Sequence, residues 1–121
     1  MTFEKLREYC LALPGVSEEL PFDDVTVVFK VMGKIFALTN LHERPLSLNL
    51  KCEPARAIEL RDQFEAVQPG YHMNKKQRNT VTVDETISSA KLVEWIDHSY
   101  ELVAKGLKKA DRDALSKLSR R

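Results

Sequence analysis

Residues 46–51 read Leu-Ser-Leu-Asn-Leu-Lys, an unbroken alternation of apolar and polar side chains. Successive side chains of a strand point to opposite faces, so Leu46, Leu48 and Leu50 share one face and Ser47, Asn49 and Lys51 the other. A sheet with one polar face is not buried on both sides. The pattern therefore predicts helices on a single face of an antiparallel sheet, a two-layer α+β domain.

The flanking segments supply the remaining elements. Residues 25–32 are β-branched and alternate around Lys30, and Ile35 to Thr39 follow after Gly33-Lys34. Two strands joined by a Gly-X pair predict a tight hairpin of type II′. Tyr71 to Lys75 and Asn79 to Asp84 predict a second hairpin with Lys75-Lys76-Gln77-Arg78 at its tip. A helix is predicted over 2–13, with Thr2 as N-cap, Phe3, Leu6, Cys10 and Leu13 as its apolar stripe, and Pro14-Gly15 as its stop. Glu53-Pro54 opens another helix to about Ala66, striped by Ala57, Leu60, Phe64 and Val67. The last runs from about Ser88 to Lys105, striped by Leu92, Ile96, Tyr100, Val103 and Leu107. A basic tail from about residue 109 extends it or forms a short helix of its own. The expected fold is one domain over 1–121, with an antiparallel sheet of about five strands in two hairpin groups and about three helices.

A chain of 121 residues buries roughly two-thirds of its unfolded surface, enough for a core without disulfides or metals. Cys10 and Cys52 stand far apart with no CxxC spacing, and the start of the chain has no apolar h-region. These features predict reduced thiols and a cytoplasmic protein away from the membrane. The formal net charge of +1 is low for a nucleic-acid binder, but the charge is uneven. Acids dominate residues 1–24 and bases dominate 105–121, so a local field can be positive where the total is not.

The strongest candidate surface combines Lys75, Lys76 and Arg78 at one hairpin tip with Lys30, Lys34 and Lys51 on the other strands. Lysine and arginine neutralise phosphates, and Asn74 and Asn79 can hydrogen-bond a phosphate or a base edge. The competing explanation is that lysines guard hairpin tips and edge strands against aggregation. No catalytic arrangement is read from the sequence. His72 has no nucleophile or carboxylate assigned to it. Glu94 and His98, spaced i to i+4, supply two weak ligands and no third, and Glu18, Glu19, Asp23 and Asp24 lack the spacing of a calcium loop. The chain is expected to be neither an enzyme nor a cofactor binder. Trp95 is expected to be partly core.

Several segments together resemble the MmcQ/YjbR family across nearly the whole chain. They are Leu13-Pro14-Gly15-Val16, Phe29-Lys30-Val31-x-Gly33-Lys34-x-Phe36-Ala37, Ser47-Leu48-Asn49-Leu50-Lys51, Pro69-x-Tyr71-His72-Met73-Asn74-Lys75, Asn79-Thr80-Val81 and Ser99-Tyr100-x-Leu102-Val103. Gln77 and Arg78 stand where the family usually carries His-Trp. The resemblance implies a CyaY-like α+β fold with two hairpins projecting as a double wing, an arrangement compared with DNA-binding domains. Two functions are therefore expected in competition. The first is weak, salt-dependent DNA binding by a monomer through its basic hairpins. The alternative is a non-catalytic adaptor for an unidentified protein, using the acidic N-terminal face or an apolar patch near Trp95 and Tyr100.

Overall fold

A computed structural model describes residues 1–70 and 77–118. Elements follow in the order α1 (Phe3–Ala12), β1 (Val16–Glu19), β2 (Thr26–Val31), β3 (Lys34–Asn40), β4 (Ser47–Lys51), α2 (Pro54–Gln63), β5 (Val67–Pro69), β6 (Arg78–Thr82), α3 (Ser89–Lys105) and α4 (Lys109–Leu118). The strands form one open antiparallel sheet in the order β1-β2-β3-β4-β6-β5. The two-layer α+β expectation holds, with more elements than expected among the described residues.

The alternation in β4 works as predicted: Leu46, Leu48 and Leu50 are buried, while Ser47, Asn49 and Lys51 are only half-buried. Register extends this division across the sheet. Leu48 lies opposite Val81 on one side and Thr39 on the other, and Ala37 lies opposite Phe29. That face is covered by α3, whose Leu92, Trp95, Ile96, Ser99 and Val103 are buried over β3 and β4. Fully burying side chains such as Phe29, Phe36 and Leu48 contributes about 1.5–3 kcal/mol each. Tyr9 hydroxyl donates to Asp97 and ties α1 to α3. The rings of Phe64 and Trp95 meet edge-on at 5.2 Å and join the end of α2 to α3. No helix of the described residues is long and apolar enough to cross a membrane.

The helix starts were read correctly. Thr2 Oγ1 accepts from the Lys5 amide and Ser88 Oγ from the Lys91 amide, each satisfying a donor left free by the first turn. Four expectations need correction. Val16–Glu19 is a strand, although only one of its residues is apolar; it pairs along β2, where Glu19 meets Lys30, while Glu18 meets Arg7 of α1. The β2–β3 turn is centred on Met32-Gly33, with φ of +49° and +85°, so both central residues are left-handed as in a type I′ turn, rather than Gly33-Lys34 in a II′ turn. A bulge between Phe29 and Lys30 in this ladder shifts the register that simple alternation assumed. Finally, α2 stops at Gln63, and Val67 belongs to β5 rather than to the helix stripe. The tail forms the separate helix α4, docked at the Pro14-Gly15 turn. A Cβ on Gly15, whose φ is +72°, would lie 2.7 Å from Leu115 Cδ1.

Candidate nucleic-acid interface

The site begins where β3 and β4 part. Their last paired residues are Ala37 and Leu50. Beyond this pair the backbone groups face a gap, and an unpaired buried backbone group is costly. Ser99, fully buried on α3, fills the gap from the helix side. Its hydroxyl accepts from the Lys51 amide at 2.9 Å and donates to the Phe36 carbonyl at 2.5 Å, replacing a ladder bond between the strands.

Arg78 crosses the same gap. It lies opposite Lys51 in the β4–β6 ladder, and its Nη2 donates to the Ile35 carbonyl of β3 at 2.9 Å. Arg78 is therefore a strand residue and not a hairpin tip, a correction to the expected turn. Only 9% of it is exposed. Its Nη1 is buried without a hydrogen-bond partner among the described residues, and burial lowers the guanidinium pKa from its usual value. Arginine stays protonated in proteins, so the charge remains.

Around Arg78 lies an open groove of about 460 Å³, lined also by Lys30, Lys34 and Lys51 and bounded by Gly106 at the end of α3. The fold thus brings the basic residues of the β2–β3 hairpin together with those of β4 and β6. Lys30 Nζ pairs with Glu19 at 3.1 Å, because β1 lies alongside β2. Lys34 and Lys51 make no ion pair among the described residues.

Asn79 takes the opposite direction, since neighbours on a strand alternate faces. It is 2% exposed, accepts from Arg61 Nε at 2.7 Å and donates weakly to the Ala57 carbonyl at 3.4 Å. Arg61 Nη2 also reaches the Arg78 carbonyl at 3.2 Å. Asn79 fastens α2 to β6 and is not placed to touch DNA, which corrects the sequence expectation. Asn74, Lys75 and Lys76 lie outside the described residues, as does His72.

The family model for YjbR matches residues 11–102. The chain belongs to the YjbR family. It is 38% identical to YbdF of Escherichia coli O157:H7 over 109 residues, covering 90% of this chain and 89% of that protein. It is 30% identical to YjbR of Escherichia coli K12 over 118 residues, covering 98% of this chain and 100% of the relative. A crystal structure of a Deinococcus radiodurans protein with a DUF419 domain is similar at a TM-score of 0.88 and 45% identity, covering 95% of this chain and 88% of that one. A Pseudomonas syringae protein shares the fold at a TM-score of 0.73 and 22% identity, over 84% of this chain and 98% of that chain.

Elsewhere, the aromatic residues on α3 of this YjbR-family chain make internal contacts. Trp95 is 4% exposed. Tyr100 donates to the Pro14 carbonyl at 2.7 Å and meets Phe36 edge-on at 5.4 Å. Of the apolar patch expected there for a protein partner, Trp95 is buried and Tyr100 is half-buried. The acidic face is partitioned too. Glu18 accepts from Arg7, and the Asp23 carboxylate accepts from the amides of Val25 and Thr26, which lowers its pKa. His98 accepts from the Glu53 amide at 3.4 Å, while Glu94 lies 3.8 Å from both Arg56 and Lys91. No group of three His, Cys, Asp or Glu could hold a metal among the described residues.

Ser99 was missed in the sequence. The available signal was a hydroxyl standing in the apolar stripe between Ile96 and Val103, a position a surface serine would not occupy.

Proposed function

We propose that this protein binds DNA through the phosphate backbone and that the groove between the β2–β3 turn and Arg78 is the contact surface. One observation carries the reading: Lys30, Lys34, Lys51 and Arg78, drawn from separate strands, line a single groove, and among the described residues only Glu19 is paired with any of them. Guarding strand edges against aggregation does not require buried Arg78 or inner-strand Lys51. Lys75 and Lys76, outside the described residues, add positive charge to the sequence just before Arg78. On this reading the protein is a cytoplasmic, non-catalytic binding domain.

The test is a titration of labelled protein with a short duplex, followed by amide NMR at low and moderate salt. Shifts are expected at Lys30, Lys34, Ile35, Lys51 and Arg78, shrinking as salt rises. With about three phosphates neutralised, the log–log salt slope is about −3, and Lys34→Ala with Lys51→Ala flattens it by about 2. No shifts at low salt, where electrostatic binding is strongest, would defeat the proposal.

A further inference from the structure

We propose that this groove is built to seat a terminal phosphate monoester, the group carried by a 5′-phosphorylated DNA end. This deepens the DNA reading, on which it rests for the source of the phosphate.

Three observations point to such an anion. The first is the unused donor. Arg78 is buried, donates to the Ile35 carbonyl, and leaves Nη1 buried with no acceptor among the described residues. Folded proteins leave few buried polar groups unpaired, because each forgoes water without recovering a bond. The second is the placement of like charges. Lys51 and Arg78 are direct cross-strand partners. Like charges directly opposite one another repel, and an anion bridging them reverses the sign of the interaction. The third is the shortage of acid. Glu19 is held by Lys30, and Lys34 and Lys51 have no carboxylate partner among the described residues.

The form of the ligand follows from convergence. Arg78 reaches across β4 to Ile35, which lies opposite Lys30 and next to Lys34 in sequence. The four cations therefore border one opening instead of following a line. A phosphodiester presents one charge and two unshared oxygens to such a cluster. A monoester presents three oxygens and a charge of about −1.5 to −2 near neutral pH. Arginine binds such oxygens through its planar fork, which a lysine does not reproduce.

The end of α3 offers a competing account, since Gly106 borders the groove and a helix C-terminus favours nearby cations. That explains lysines at the rim. It supplies no acceptor for the buried Nη1.

The experiment compares two short blunt duplexes of one sequence, with 5′-phosphate or 5′-hydroxyl ends, binding to the whole protein. Inorganic phosphate is the competitor, and thermal melting with phosphate in place of chloride at equal ionic strength is read alongside. The 5′-phosphorylated duplex is expected to bind about tenfold tighter, the gain of one charge-assisted hydrogen bond. Inorganic phosphate should displace it, and Arg78→Lys should abolish the preference while retaining duplex binding. If Arg78→Lys lowers stability, Lys34→Ala at the exposed turn still tests the site and should also reduce the preference. Equal affinity for the two duplexes overturns the monoester seat and leaves the DNA reading standing. If no duplex binds but inorganic phosphate raises the melting temperature through Arg78, the DNA reading fails and the phosphate comes from a small molecule. If neither duplex nor phosphate acts, both proposals fall.

Discussion

Replacing Ser99 by Ala should be among the most damaging single-atom deletions in this protein. The hydroxyl is fully buried and serves two backbone groups, the Lys51 N–H and the Phe36 C=O, at the point where β3 and β4 separate. Without it both groups are stranded in the interior. Each costs about 1–3 kcal/mol, and Ala saves part of that by no longer burying a hydroxyl, so the net loss is about 2–4 kcal/mol. In a domain of this size that corresponds to a melting temperature lower by about 10 °C. Urea denaturation is the assay, because an unchanged slope with a lower midpoint separates lost stability from altered compactness. Hydrogen exchange supplies the local readout: the Lys51 amide should lose protection ahead of its ladder neighbours. A loss below about 0.5 kcal/mol, the size of an ordinary surface substitution, would refute the account of Ser99 as the bond between the parted strands.

Three further outcomes follow from the structure. Arg78→Met should leave stability within about 1 kcal/mol of the parent, or raise it, because removing an unpaired buried charge offsets the partner lost by the Ile35 carbonyl; a loss above about 2 kcal/mol in urea would mean the guanidinium is chiefly structural. Gly15→Ala forces a side chain into a left-handed position and against Leu115, costing about 1–2 kcal/mol. In a double-mutant cycle its effect should shrink by at least about 0.5 kcal/mol when Leu115 is already Ala, and simple additivity would show that α4 does not rest on that turn. Burial and then Asp97 push the Cys10 thiol up to about 12 from a reference of 9.0, and burial together with the Asp97 hydrogen bond also raises Tyr9. Raised folded values mean this stability is full below about pH 9 and is lost as pH climbs from there toward 12, at no more than about 1.4 kcal/mol per pH unit for Cys10. Denaturation across that range should show a shallower decline in Cys10→Ala, and identical slopes would remove Cys10 as the source.

Much of the fold is written locally. The alternation of 46–51 set the orientation of β4, the apolar spacing of 92, 96 and 103 set the buried stripe of α3, and Thr2 and Ser88 marked helix starts. These features depend on periodicity and on short-range hydrogen bonds, which a sequence displays directly. The strand β1 was hidden because Val16 is its only apolar residue and is just half-buried against the core; its place comes from a ladder with β2 and from Glu19 meeting Lys30. The turn at Met32-Gly33 was nearly legible from Gly33, but the bulge beside Phe29 moved the register by an amount that alternation does not encode.

The candidate site divides in the same way. The sequence by itself determined that basic residues cluster near two predicted hairpins and that a polar sheet face exists to carry some of them. It could not determine which of two adjacent residues, Arg78 or Asn79, faces the groove and which clamps α2, since a shift of one residue exchanges the faces. Only the tertiary structure decided that, by pairing Arg78 with Lys51 and Asn79 with Leu50. It also decided that Lys30, Lys34, Lys51 and Arg78 line one opening. The physical reason is range: charge and periodicity are properties of residues close in the chain, whereas convergence of four cations depends on strands far apart in sequence being hydrogen-bonded in one order and register.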